Sequence, residues 1–216
     1  MKVLESSPDR YDRGVEMLSH GRIGQIYELI AETVAGEGRA ILDIGCGTGN
    51  VSLECARRGA TVVGIDIDPG MLEVAERKAE NEGLSERISF LEIGVGEMKS
   101  RFKESTMDAC VSCLAFSELT SDERSYAIAS AHSILKPHGT MVIADETRPR
   151  SATKRLFRSI IQLPVRALTY ILTQSSTHPL GDISSELRQA GFVEIETKRL
   201  WGDTFMVIVA HRGDRE

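Results

Sequence analysis

Long apolar runs are missing from this chain of 216 residues. No stretch reaches the ~18 consecutive apolar residues that a membrane-spanning helix needs. The opening residues, Met1-Lys2-Val3-Leu4-Glu5-Ser6-Ser7-Pro8, hold no hydrophobic centre of the kind a signal peptide carries. A cytoplasmic chain is therefore expected. Basic excess is missing too: Lys and Arg number 26 against 32 Asp and Glu, a formal charge of −6. A general nucleic-acid binder is usually basic, so nucleic acid is not expected as a partner. Cysteine is sparse, four in all, and reduced thiols are expected in that compartment. Cys110 and Cys113 have the C-x-x-C spacing, but they sit in "MDACVSCLAF", which reads as a buried strand. Residues three apart on a strand face opposite sides. No second C-x-x-C and no histidine pair nearby completes a tetrahedral site, so no metal is expected. Repeats and low-complexity tracts are also absent, and a single domain over residues 1–216 is the natural reading.

What is present is alternation. A helical cap over residues 1–36 includes "GRIGQIYELIAETV", whose spacing places Ile23, Ile26, Tyr27, Ile30 and Val34 on one face. Strand "RAILDIG" then precedes helix "NVSLECARRG", and strand "ATVVGIDI" precedes helix "DPGMLEVAERKAENEG". The second helix carries its own boundaries, with Asp68 as N-cap, Pro69 at the first position and Gly83 past the end. Strands "RISFLEIG" and "MDACVSCLAF", helix "SDERSYAIASAHSIL", turn "KPHG" and strand "TMVIADE" continue the pattern. Such alternation predicts an α/β fold, a mostly parallel sheet with helices on both faces. After helix "LGDISSELRQAG", strands "FVEIETKRL" and "DTFMVIVAHR" are joined by the short turn Trp201-Gly202. That connection requires an antiparallel hairpin. The prediction is a Rossmann-like sheet of seven strands closed by a C-terminal hairpin.

The chemistry concentrates in "AILDIGCGTGN", where a strand runs into Gly45, Gly47 and Gly49. The dinucleotide fingerprint G-x-G-x-x-G would put its third glycine at position 50, which is Asn50. Asp43, just before the turn, would repel a pyrophosphate but suits an ammonium group. Asp66, at the end of the next strand, is placed to accept from ribose hydroxyls. Together with the hairpin, these features favour S-adenosylmethionine over a nicotinamide dinucleotide.

The stretch "LDIGCGTGNVSLECARRGATVVGIDIDPGMLEVAE" resembles the class I S-adenosylmethionine-dependent methyltransferases, and the resemblance runs from about Tyr11 to His211. It implies that Asp43, Gly45, Cys46, Gly47, Gly49 and Asn50 surround the methionine end of the cofactor. It further implies that Asp66 holds the ribose, that Ile67 lies against the adenine, and that Cys113 and Leu114 lie beside the sulfonium. One departure stands out. Where the family commonly has Gly-Asp-Ala, this chain has Gly94-Val95-Gly96-Glu97, so the adenine contact falls to Val95, Gly96 and Glu97. Four further segments, "YDRGVEMLSHGRIGQIYELI", "CLAFSELTSDERSYAI", "ADETRPRSATKRLF" and "LTYILTQSSTHPL", are similar to the corrinoid protein-associated methyltransferases. That similarity implies an acceptor that is a small molecule or a component of a corrinoid-dependent system, such as a corrinoid protein.

Residues 148–179 form a basic, apolar insertion between the fifth strand and the last helix, with six Arg or Lys and no Asp or Glu. It reads either as a helical cover over the active site or as a docking surface, through 148–172, for an acidic protein, anionic lipid or quinone. Methyl transfer needs positioning, and a base only where the nucleophile carries a proton. The candidates are Glu118 and Glu146 near strand ends, with Asp145 beside the latter, and Tyr11, His20 and His178 on segments able to close over the cofactor. Glu118 has the plainer alternative of capping the helix that follows it. A quinone or other lipid-ring C-methyltransferase, and a non-catalytic S-adenosylmethionine-binding regulator, are the competing functions.

Overall fold

Five residues at the centre, Ala40–Ile44 (β1), organise the chain, because an apolar strand flanked on both sides is buried on both faces. The computed structural model describes residues 8–147 and 179–213. β1 pairs in parallel with Thr61–Asp66 (β2) and with Met107–Cys113 (β4). Ile88–Glu92 (β3), Leu135–Glu146 (β5), Phe192–Leu200 (β6) and Phe205–Arg212 (β7) complete a seven-stranded sheet of order β3-β2-β1-β4-β5-β7-β6. β7 runs antiparallel to both β5 and β6, as the hairpin predicts. Strand order reverses between β1 and β4, and ligands of such sheets bind beyond the carboxyl ends at that point. Asp43, Asp66, Cys113 and Glu146 all lie at those ends.

Seven helices are described: Pro8–Leu18 (α1), Ile23–Val34 (α2), Asn50–Arg57 (α3), Pro69–Asn81 (α4), Met98–Arg101 (α5), Ser121–Ile134 (α6) and Ser184–Gln189 (α7). Side chains alternate across the strands, so each sheet face has its own core. On one face Ile41, Val62, Ala109, Val111 and Val142 meet Ile26, Ile30, Val51 and Ala56 of α2 and α3. On the other, Leu42, Ile44, Cys110, Met141 and Ile143 meet Ile128, Ala131 and Leu187 of α6 and α7. Cys110 and Cys113 contact opposite cores, and no cluster able to hold a metal ion occurs among the described residues. Nor is any helix among them long and apolar enough to cross a membrane.

Three local expectations are corrected. The turn "KPHG" is absorbed into β5, which starts at Leu135 opposite Met107; the register slips between Met107 and Ala109, and His138 takes φ +59°. The hairpin turn is longer than two residues, with Trp201, Gly202 and Asp203 all at positive φ. The cap of α6 is Thr120, not Glu118. Its hydroxyl accepts from the Glu123 N–H while the Glu123 carboxylate accepts from the Thr120 N–H at 2.9 Å, a reciprocal box. Glu118 is thereby left for other work. Residues 148–178 of the insertion, His178 among them, lie outside the described residues, as do residues 1–7 of the N-terminal cap.

Candidate active site

The glycine loop is fixed by its neighbours. The Gly45 and Cys46 N–H groups both donate to the Ile65 carbonyl at 2.9 Å, which hangs the loop from β2. A Cβ on Gly45 would stand 2.3 Å from the Ala115 methyl, and the residue sits at φ +68°, so only glycine lets the two strand ends approach. Gly47 differs: at φ +51° it faces nothing within 4 Å. It is glycine because of its backbone angle, and the space over it is open to a ligand. Its N–H donates to Asp66 Oδ2 at 2.8 Å, while the Asp68 N–H donates to Oδ1 at 3.0 Å. Asp66 thus joins the loop to the start of α4. Beside it Ile67 is 74% exposed, an apolar surface left bare at a strand end.

Cys46 contributes only backbone. Its sulfur is packed under the loop, and burial, with Asp43 and Asp66 nearby, pushes the thiol well above its usual range. Asp43 is also beneath the loop rather than in it, 1% exposed, with its carboxylate accepting the Ser52 hydroxyl at 2.7 Å. Burial drives its pKa up to about 7; the Ser52 hydrogen bond resists this and the Asp66 charge adds to it. The acid expected to suit an ammonium group is thus placed below the glycine loop, bonded to Ser52.

α1 roofs this cleft. Asp12 accepts from Thr48 Oγ1 at 2.6 Å, Asn50 Nδ2 at 2.9 Å and Lys78 Nζ at 2.6 Å. Lys78 also donates to the Thr48 carbonyl and to Asn50 Oδ1. One carboxylate therefore ties α1 to the glycine loop and to α4. Burial works against its charge, but the hydrogen bonds from Lys78, Thr48 and Asn50 outweigh it and hold the carboxyl below its usual value. Asn50, expected beside the cofactor, has its side chain committed to this latch. Sequence reading missed Asp12, Thr48 and Lys78, since the contacts span tens of residues. Tyr11, one position before Asp12, is raised far above a normal tyrosine by burial, then by the charges of Glu118, Cys113 and Asp66. It faces the cleft. Glu118 is itself raised by burial and by Asp66, so Tyr11, Glu118 and Asp66 lie within electrostatic reach of one another.

At the adenine end, Val95–Glu97 forms a single 3-10 turn. Val95 packs on the core below, and the Glu97 carboxylate turns back to accept the Gly94 N–H at 3.3 Å. Glu97 closes its own turn instead of reaching out. Gly94, Gly96 and Ile67 leave main chain and an apolar face for an adenine.

Beyond β4, Leu114 adopts φ +62° and its N–H donates to the Ala144 carbonyl at 2.9 Å. Buried Asp145 accepts from the Ser117 N–H at 2.8 Å and from the Glu146 N–H at 2.7 Å, so it ties this loop to β5. Burial raises its pKa to about 6 against those hydrogen bonds, with Glu146 adding a like charge. Past Leu114 a second cleft opens, of about 340 Å³, walled by Val15 and Leu18 of α1, His20 and Arg22 of the following turn, Glu146, and Trp201 with Phe205. The candidate catalytic residues are thus divided. Tyr11 and Glu118 face the cofactor cleft, Glu146 faces the second cleft with His20, and His178 is outside the described residues. Tyr11, Val15 and Leu18 share one face of α1, and that face bridges the two clefts.

A sequence model of the methyltransferase domain matches residues 41–139. A methyltransferase of Geobacillus sp. (strain WCH70), itself uncharacterized, is 32% identical over 201 residues, 91% of each chain. This chain belongs to the class I S-adenosylmethionine-dependent methyltransferases. A demethylmenaquinone methyltransferase from Symbiobacterium thermophilum is 28% identical over 230 residues, covering 96% of this methyltransferase and 90% of that one. An O-methyltransferase family protein from Burkholderia thailandensis shares the fold with a TM-score of 0.72 at 18% identity, over 97% of this chain and 60% of that one. S-Adenosylmethionine fits the methyltransferase cleft. The open space over Gly47, the Asp66 carboxylate and the bare Ile67 face match its methionine, ribose and adenine parts in order. When bound it supplies an electrophilic methyl group; the residues of this chain position, enclose and desolvate it.

Proposed function

We propose that the enzyme methylates a ring carbon of a quinol-type lipid. The observation that carries this is the cleft beyond Leu114. Between His20, Arg22 and Glu146 its walls are apolar and aromatic, with the Trp201 and Phe205 rings tilted at 39° and 4.6 Å between centroids, a lining suited to a ring. Leu18, in its wall, is 50% exposed, and Met17, its neighbour in the chain, is 75% exposed. Bare apolar side chains beside a ligand cleft give an apolar tail somewhere to run. The demethylmenaquinone methyltransferase relative supports the same class of acceptor, whereas none of the relatives reported above is named for corrinoid chemistry. The basic, apolar insertion 148–178 also suits an enzyme that meets its substrate at an anionic lipid surface.

The test is S-adenosylhomocysteine release with a prenylated naphthoquinol lacking the ring methyl, its oxidised quinone, and cob(I)alamin as competing acceptors. Turnover with the quinol is expected. Turnover with cob(I)alamin alone would replace this reading with the corrinoid one.

A further inference from the structure

The cleft beyond Leu114 holds two opposite charges, and the structure pairs neither with the other. Arg22 stands at its mouth, its Nε donating to the Ser19 carbonyl at 3.0 Å and its guanidinium 5.1 Å over the Trp201 ring. Those contacts hold the group in place and leave its remaining N–H donors uncommitted; among the described residues it has no carboxylate partner. Glu146 lines the same cleft, and among the described residues only its main chain is engaged, through Asp145 and Leu180. The other charged groups nearby are accounted for. His20 comes from the same turn as Arg22, Asp203 is bound by Arg199 at 2.8 Å, and Asp145 is buried behind the β5 end. Among the described residues Arg22 is the only permanent cation in the lining.

We propose that Arg22 selects and holds the acceptor as a phenolate, with Glu146 receiving the ring proton. This rests on the quinol reading above and gives the acceptor its ionisation state. The electrostatics call for such a cation. Asp43, Asp66, Glu118 and Asp145 crowd the strand ends with carboxylates, and a second anion would be repelled unless a fixed positive charge offset them. A guanidinium held between a carbonyl and an indole face is suited to that, because it reaches an oxyanion with several N–H donors at once. Chemically the charge is useful. Ionising the hydroxyl raises electron density at the neighbouring ring carbon, whose electron pair forms the new C–C bond to the methyl carbon. The S–C pair stays on sulfur, which becomes neutral, and the ring is left as an uncharged dienone. The dienone then gives the proton on its methylated carbon to the Glu146 carboxylate and returns to a phenolate, again facing Arg22. One proton leaves for water per methyl transferred, and no oxidant or reductant is needed.

Trp201 is the chain's single tryptophan, so the cleft reports on itself. The experiment titrates 4-nitrophenol, whose hydroxyl ionises near neutral pH, against Trp201 fluorescence with S-adenosylhomocysteine bound. The pH range covers both forms of the probe. Wild type should bind the phenolate about tenfold more tightly than the phenol, the worth of one charge-assisted hydrogen bond at a partly open site. Arg22→Met, which keeps an apolar stem against Trp201, should abolish that preference while leaving phenol and S-adenosylhomocysteine affinities unchanged. Arg22→Lys should retain part of it. Glu146→Gln should strengthen phenolate binding and lower kcat and KM together. Equal affinity of wild type for both forms, or a preference that survives Arg22→Met, would overturn the proposal. An enzyme that keeps the preference yet methylates no quinol would instead refute the quinol reading and leave the phenolate site standing.

Discussion

Asp43 offers the most searching test of how the cofactor is bound. In the ligand-free protein its carboxyl is raised from 3.8 to about 7 by complete burial, only partly countered by Ser52. S-Adenosylmethionine brings a sulfonium and an ammonium against one carboxylate. Its net positive charge favours ionised Asp43, so binding must expel whatever proton Asp43 carries. At pH 7 that is about half a proton per site, since the group is then half protonated. Below pH 7 the affinity should weaken by up to about tenfold per pH unit, because protonation removes the attracting charge. S-Adenosylhomocysteine has no sulfonium and should show a shallower slope. Asp43→Asn keeps an acceptor for the Ser52 hydroxyl but cannot titrate, so the slope between pH 5.5 and 7.5 should flatten. The ligand's own amino group titrates above that window and cancels between the two proteins. Calorimetry in two buffers of different ionisation enthalpy counts the protons directly. The same slope and proton release in Asp43→Asn as in wild type would refute the reasoning and leave Asp43 a purely structural group.

Other outcomes follow from the same contacts. Asp66→Ala should cost about 2–4 kcal/mol of cofactor binding, since it removes the ribose partner and the acceptor for the Gly47 N–H; unchanged calorimetric affinity in a folded variant would take Asp66 out of the site. Asp12→Asn removes the charge that holds Lys78, a partly exposed pair to be discounted for solvent. A loss of about 1–2 kcal/mol in α1 docking is expected, read as faster amide exchange in Pro8–Leu18 and roughly tenfold faster cofactor release. Slow exchange in both proteins would contradict the latch. Gly45→Ala drives a methyl onto Ala115 and should abolish cofactor binding, whereas Gly45→Ala combined with Ala115→Gly should recover part of the folded protein by thermal melting. Ligand-free stability should fall as pH rises from about 4 to 7. Across that window Asp43 and Asp145 ionise in the unfolded chain while the folded protein keeps their protons, so the native state binds more protons and loses ground. Denaturant midpoints at pH 5 and 8 measure this, and a midpoint that rises with pH would contradict it.

Local chemistry made much of this legible in the sequence. The spacing of Gly45, Gly47 and Gly49, the Asp68-Pro69 helix start and the strand–helix alternation are each set by neighbours in the chain, and the structure places them as expected. What was hidden depends on long-range packing. Nothing in "YDRG" shows that Asp12 meets Thr48, Asn50 and Lys78, because those contacts exist only once α1 crosses the loop. Asp43 read as a ligand for a cation because an acid before a glycine turn suggests exposure, yet a parallel strand flanked on both sides buries every position near its end. Arg22 was read only as part of the helical stretch from Gly21, and Trp201 only as half of a hairpin turn. Their value comes from the 5.1 Å cation–ring contact between them, which joins segments nearly the whole chain apart. "KPHG" had the composition of a turn, and the bulge beside Met107 let the strand run through it.

The central claim is carbon methylation of a phenolate ring in the cleft between α1 and the β6–β7 turn. The most direct measurement uses S-adenosylmethionine carrying a carbon-13 methyl group and a prenylated naphthoquinol unsubstituted at the neighbouring ring carbon, with the product read by NMR. The account predicts a labelled methyl bonded to ring carbon in wild type, strongly reduced in Arg22→Met and in Glu146→Gln. A labelled methyl on oxygen, or the same carbon product at the same rate from both variants, would contradict it.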